Sequence, residues 1–283
     1  MKKFQFTKMH GAANDFILID DRRVEFPADD HVLLAAMADP RTGISCEGII
    51  LIRPAERAGD FRMLFFNPDG TEADMCGNGA RCAAAFAREI GAVKGTSMTM
   101  ETGAGLVDAQ ILGPGLVKIW VNDPKDRRYD LSVALEDGSA VHGNFVNSGV
   151  PHFVVDVDSP ATVDVNGLGR RLRLADMFAP VGTNVDFVRY RLPNQAFMRT
   201  YERGVEAESG ACGTGAVAVA VVGTEKFGLS LPITVRTPSG FTLIVDGDYR
   251  RSKSTGLTLT GPVKKVFTGE VDLDSIDIGN EME

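Results

Sequence analysis

Metal-binding residues are scarce in this sequence. Its 283 residues include four cysteines, Cys46, Cys76, Cys82 and Cys212, and four scattered histidines, His10, His31, His142 and His152. No two cysteines form a C-x-x-C pair, so zinc is a poor reading and no metal is expected. No run of 18 apolar residues occurs, which argues against a membrane span. The lysines after Met1 lead into no apolar stretch of the kind a secretory signal needs. A cytoplasmic location is therefore expected, with thiols rather than a disulfide framework. Basic residues are outnumbered, 30 Lys and Arg against 38 Asp and Glu, for a net charge of −8. With no basic stripe either, nucleic acid is not an expected partner. Phosphate-binding glycine loops are missing too: "CGNGA" fits neither G-x-G-x-x-G nor G-x-x-x-x-G-K-[ST].

What is present is a phrase written twice. "DMCGNGARCAAAFAREIG" begins at Asp74 and "GACGTGAVAVAVVGTEKFG" at Gly210. Each sets a cysteine before Gly-x-Gly and a run of small apolar residues, and Cys76 and Cys212 are 136 positions apart. Downstream, Thr99, Thr102 and Gly105 match Thr234, Thr237 and Gly240 at an offset of 135. Upstream, "FRMLFFNPDG" parallels "AFMRTYERG", and "ANDFILID" parallels "PHFVVDV". Four matches in one order at nearly one offset indicate an internal duplication.

The expected fold is α+β: two pseudo-symmetric duplicated domains, each a barrel-like mixed sheet wrapped around one buried central helix. The first would comprise residues 1–123 with 267–283 and carry Cys76, and the second residues 124–266 with Cys212. Their joint falls in the charged, proline-containing stretch 121–130. The segment "KKVFTGEVDLDSIDI" returns to pair with the first domain, and residues 279–283 read as a frayed tail. Short β-branched or aromatic runs between turn residues supply the strands. A helix over 29–38 is expected with Asp29 or Asp30 as its cap. "AVAVAVV" alternates like a strand, whereas "ARCAAAFAREIG" reads as a helix. Equivalent segments of a repeat share a conformation, so both are assigned as helices, and apolar residues all round make them buried ones.

A cysteine at a helix start has chemistry available. The first turn presents unpaired N–H groups and partial positive charge. That arrangement suits a carboxylate and favours thiolate over thiol. Cys46 and Cys82, in apolar settings, read as inert core residues. Two domains facing each other would put Cys76 and Cys212 on opposite sides of a bound carbon. One sulfur then removes a proton and the other delivers one, which inverts a stereocentre.

These residues resemble the diaminopimelate epimerase family over essentially the whole chain. The matching segments are "HGAANDFILID", "FFNPDGTEADMCGNGARC", "GTNVDFV" and "RTYERGVEAESGACGTGA". The resemblance implies a cofactor-independent enzyme that interconverts LL- and meso-diaminopimelate by two-base proton transfer, on the route to lysine and peptidoglycan. It implies Cys76 and Cys212 as the acid/base thiols, with His152 and Glu202 setting their proton affinities. Gly77 and Asn78, with Gly213 and Thr214, would hold the reacting carboxylate. Asn14, Asn67 and Asn184 would bind substrate through their amides, Glu202 would lie near the amino group, and Arg203 would grip the distal carboxylate. The partner is the small-molecule substrate, in a possible homodimer.

Some residues depart from the family pattern. Val150 stands in "GVPH" where many members have asparagine, and Asn147 nearby is a candidate substitute. Ser209, Gly210 and Glu47 replace commoner residues away from the proposed chemistry. Simpler roles exist as well: Asn67 before "PDG" and Asn184 after "GT" suit turns, and Glu202 with Arg203 suits a surface charge pair. Rival functions are a same-fold racemase for another amino acid such as histidine, a thiol redox switch, and a non-catalytic binding protein.

Overall fold

Alternating apolar residues and frequent turns build two units of like construction, seen in a computed structural model that describes residues 2–250 and 253–278. Residues 279–283, expected to fray, lie outside the described residues. Unit 1 is Met1–Ile119 with Gly261–Glu283, and unit 2 is Trp120–Thr260.

Unit 1 contains β1 (Lys3–Gly11), β2 (Asn14–Asp20), α1 (His31–Ala38), β3 (Ile49–Arg53), β4 (Phe61–Phe66) and β5 (Glu72–Ala73). It continues with α2 (Gly77–Glu89), β6 (Ser97–Thr102), β7 (Gly105–Gly113) and β8 (Leu116–Trp120). Unit 2 contains β9 (Lys125–Ala134), β10 (Ala140–Asn147), β11 (Pro151–Asp156), α3 (Val165–Arg173), β12 (Asn184–Arg191) and β13 (Gln195–Glu202). After these come β14 (Ala207–Ser209), α4 (Gly213–Lys226), β15 (Ile233–Arg236) and β16 (Thr242–Arg250). One long strand, β17 (Lys253–Asp272), starts in unit 2 and finishes in unit 1.

The ladders of unit 1 form a ring. β1 pairs with β2, β2 with β3, β3 with β4, β4 with β6, β6 with β7, and β7 with β8. β8 pairs with β17, and β17 returns to β1 from Lys3↔Asp272 to Gly11↔Val263. Eight strands therefore close a barrel with no free edge. Unit 2 repeats the sequence of pairings from β9 through β10, β11, β12, β13, β15 and β16 to β17. The parallel pairs recur at matching places: β2 with β3 and β4 with β6, then β11 with β12 and β13 with β15.

Each unit holds one helix that is buried nearly all round. α2 packs on β1, β2, β3, β4 and β7, and α4 on β10, β11, β12, β13, β15 and β16. Ala80, Cys82, Ala83, Ala84, Phe86 and Ala87 are buried in the first, and every residue from Gly215 to Gly223 in the second. The strand-like "AVAVAVV" is helical because burial on every side makes valine's weaker helix propensity secondary. α1 is capped by Asp30, whose carboxylate accepts from the Leu33 N–H at 3.0 Å. It turns Leu34 and Met37 into a core shared with Ile17, Ile49 and Leu51.

Two features differ from the sequence-based expectation. The charged stretch 121–130 is half strand, since β9 begins at Lys125, and the unit boundary falls just ahead of it. The expectation also left α3 out. Its glycines weaken the helical pattern, yet a β-carbon at Gly169 would sit 2.5 Å from Tyr201 Cβ, so close packing on β13 requires the glycine.

Two thiols belong to the core. Burial pushes Cys46 from 9.0 up to about 11 and Cys82 to about 12. Ionisation is disfavoured only in the folded state, so their contribution to stability is complete below about pH 9. It is lost as pH climbs through 9 toward 11 and 12. For Cys82 the full effect is on the order of 4 kcal/mol. Urea midpoints at pH 8 and 10.5 should show a smaller alkaline loss in Cys82→Ala than in wild type. Equal losses would contradict this account.

Candidate active site

In unit 1 the site begins at the tight turn between β1 and β2. Ala12 and Ala13 have φ of 57° and 74°, both left-handed. Such a two-residue hairpin usually carries glycine or asparagine, and alanine there stores strain. A β-carbon at Gly11 would lie 2.8 Å from the Asn78 carbonyl oxygen, so the hairpin rests directly on the start of α2. Asn14 is delivered to Cys76 by this contact. The Cys76 thiol points to Asn14 Oδ1 at 3.7 Å, and Asn78 Nδ2 donates to the same oxygen at 3.1 Å. The other arm of Asn14 donates to the Glu47 carboxylate. Arg81 closes the network, donating from Nη2 to Asn78 Oδ1 at 2.6 Å and from Nη1 to the Gly77 carbonyl at 3.3 Å. Guanidinium only donates, so Asn78 must turn its oxygen to Arg81 and its amide nitrogen to Asn14. Cys76 itself is the N-cap of α2, with extended φ −128° and ψ 123°.

In unit 2 the equivalent place is built differently. Cys212 is the N-cap of α4, and its sulfur accepts from the Gly215 N–H at 3.4 Å. Thr214 Oγ1 lies 3.4 Å from that sulfur and 2.9 Å from His152 Nε2. His152 Nδ1 lies 2.8 Å from Asp186 Oδ2, and the Thr200 hydroxyl donates to Asp186 Oδ1 at 2.7 Å. His152 and Asp186 are both 0% exposed. Strand register makes this chain: Val154 pairs with Asp186 across β11 and β12, and Asp186 with Thr200 across β12 and β13. With Asp186 accepting, His152 carries a proton on Nδ1, and in the neutral tautomer Nε2 accepts from Thr214. The Thr214 oxygen is then left to accept from the Cys212 thiol.

A helix start alone would lower the Cys212 proton affinity, and the structure shows the opposite. Burial, and then the carboxylates of Glu202 and Asp186, push this thiol well above its ordinary 9.0, against the pull of Thr214 and the Gly215 N–H. Cys212 is held as a thiol.

The remaining candidates take varied positions. Asn184 bonds chiefly to main chain: Nδ2 donates to the Pro151 carbonyl at 2.9 Å and also lies 3.5 Å from His152 Nε2, and Oδ1 accepts from the Arg203 N–H at 2.8 Å. Asn184 thereby sets where Arg203 leaves β13. The Arg203 guanidinium touches the Val181 carbonyl at 3.4 Å and forms no ion pair among the described residues. Glu202, half-buried, ends β13 beside it. Asn67 closes the "PDG" turn, with Nδ2 donating to Thr71 Oγ1 at 3.1 Å. Near Val150, Asn147 Oδ1 accepts from the Gly149 N–H at 3.1 Å, which shapes that loop.

Asp186 and Arg81 were missed in the sequence. Each is the one charged residue of a short, largely apolar run, Asp186 in "NVDFV" and Arg81 in "GARCAAAFA". That isolation was the available signal.

The sequence profile of the diaminopimelate epimerase family matches residues 6–122 and 144–266. A diaminopimelate epimerase of Aquifex aeolicus (strain VF5) is 40% identical over 96% of this chain and 99% of its own. One from Gemmatimonas aurantiaca is 36% identical over 94% of this chain and 98% of its own. Among solved structures, a probable proline racemase from Agrobacterium radiobacter K84 superposes with a TM-score of 0.74, covering 97% of this chain and 94% of that one at 17% identity. The last likeness is one of fold.

Proposed function

The chain belongs to the diaminopimelate epimerase family, and from that premise we propose that Cys76 and Cys212 are its two proton-transfer groups. The reaction interconverts LL- and meso-diaminopimelate at one α-carbon by the family's cofactor-independent two-base route. One observation carries the assignment of residues: each cysteine is the N-cap of the buried helix at the same point of the repeated unit.

The chemistry follows from that placement. A thiolate on one side takes the α-proton, and the electron pair left behind delocalises into the α-carboxylate. The N–H groups of Gly77, Asn78, Gly213 and Thr214 at the two helix starts suit that carboxylate and stabilise its growing charge. The thiol on the other side gives its proton to the opposite face, and the configuration is inverted. Each turnover exchanges the two protonation states, so the reverse reaction begins where the forward one ends. The rate should be bell-shaped in pH, with limbs belonging to the pair of thiols.

Arg203 supplies the distal contact in this reading. Its guanidinium, in no ion pair among the described residues, is a planar fork suited to a second carboxylate. Arg203→Gln is expected to raise KM by roughly 10- to 100-fold with little change in kcat, the worth of one charge-assisted hydrogen-bonded contact. A drop in kcat with KM unchanged would contradict the role. A homodimer in the cytoplasm belongs to the same reading, and sedimentation at the mass of a single chain would remove the dimer from it.

The reading as a whole is tested with LL-diaminopimelate in D2O under reducing conditions. Deuterium should enter one α-carbon as the meso isomer forms. Neither exchange nor inversion would end the epimerase assignment, and faster turnover of histidine would move it to a racemase.

A further inference from the structure

Arg81 is the largest fully buried side chain of unit 1 and has no carboxylate partner among the described residues. Its side chain is 0% exposed. Its two bonds go to neutral oxygens, Gly77 O and Asn78 Oδ1, and its Nε has no partner at all. Arginine stays protonated inside proteins. A buried charge left uncompensated is strongly unfavourable, so an anion has to be supplied nearby.

The titratable groups acting on Arg81 are the thiols of Cys82 and Cys76. Among the described residues, none on β1, β2, β3, β4 or β7, the strands packed on α2, forms an ion pair with it. Cys82 is sealed in the barrel and remains a thiol, pushed up to about 12. Glu47 ends the far arm of Asn14 and bonds to neither Arg81 nor the sulfur. Cys76, half-buried at the open start of the helix, is the group left to carry the negative charge.

Unit 2 inverts this arrangement at the same structural positions. With the 136-residue offset of the two cysteines, Arg81 becomes Val217 and Ile50 becomes Asp186. The exchange is visible in contacts. A β-carbon at Gly79 would meet Ile50 Cδ1 at 3.1 Å, whereas one at Gly215 would meet Asp186 Oδ1 at 2.7 Å. One thiol therefore lies within electrostatic reach of a buried cation and the other within reach of a buried carboxylate.

We propose that Arg81 is a positioning residue for charge, holding Cys76 as the thiolate of the resting enzyme while Asp186 holds Cys212 as the thiol. The duplication supplied two equivalent cysteines, and this pair of substitutions gives them buried charges of opposite sign. The proposal rests on the reading of both cysteines as the acid/base pair, and it is tested without turnover.

The full-length reduced protein is alkylated with iodoacetamide from pH 5 to 10, and the rate at each cysteine is read by peptide mass spectrometry. In wild type the Cys76 rate should reach half its plateau at lower pH than the Cys212 rate. In Arg81→Met the Cys76 midpoint should rise by at least about one unit, which slows its alkylation near neutral pH about tenfold, with Cys212 unchanged. Arg81→Lys, which returns a cation, should restore part of the shift. An unmoved Cys76 midpoint in folded Arg81→Met overturns the proposal. If that variant does not fold, the wild-type order still decides, because a Cys212 midpoint at or below that of Cys76 also overturns it. Failure of the epimerase reading would appear instead as absent exchange in D2O, whatever the alkylation order.

Discussion

Serine in place of either Cys76 or Cys212 is expected to lower kcat/KM for epimerisation by at least about a thousandfold, the upper range for loss of one positioned acid or base. Serine keeps the size and the N-cap role, so the helix start remains intact. What changes is proton affinity. A hydroxyl at Cys76 would not ionise beside Arg81 at neutral pH, and a hydroxyl at Cys212 would be a far weaker donor than a thiol. Equal collapse of the two variants is the signature of a pair acting as a unit, since each turnover uses both groups. Epimerisation assays in both directions, with circular dichroism to confirm folding, check the result. A variant that keeps a tenth of wild-type activity would remove that cysteine from the mechanism.

Asp186→Asn is the second large effect. Asp186 gives one oxygen to His152 and the other to Thr200. Asparagine has a single acceptor, so one of those donors must face an amide N–H₂. Where His152 is the loser, its proton moves from Nδ1 to Nε2 and the whole chain reverses. Thr214 then donates to the Cys212 sulfur, and the anion that opposed ionisation has gone. The Cys212 thiol should fall back toward its ordinary 9.0, because Asp186 is one of the causes that raise it. A drop of roughly 100- to 1,000-fold in kcat is expected, with KM little changed, as for other residues that fix a histidine from behind. The alkaline limb of the kcat profile should move to lower pH. An unaltered profile would show that Asp186 serves packing alone.

The duplication and the two helix starts were legible because each is local and repeated. Cys76 and Cys212 announce themselves by the glycines that follow, and α2 fixes the reading of α4 through their equivalence. Asp30 as a cap follows from side-chain chemistry over a few residues. The partners of the thiols were not legible in the same way. Asp186 reaches Cys212 through His152 and Thr214, three elements whose meeting depends on parallel pairing of β11 and β12. The sequence displays Asn184 as an amide suited to substrate. Only the fold shows that its amide already bonds to Pro151 and Arg203 and reaches His152. Arg81 looked like part of a motif, and its weight comes from complete burial, which no spacing reveals. The rise in Cys212 proton affinity likewise comes from burial overriding the field of its helix.

The long strand β17 also sets an order of events during synthesis. Its second half fills the gap between β8 and β1 in unit 1. Until residues 261–272 leave the ribosome, both neighbouring strands keep open edges and the first barrel cannot shut. The portion of the chain made first is thus the last to be finished. Unit 2 needs only residues 120–260, all translated by then. The Cys212 half therefore has its whole chain available before the Cys76 half does.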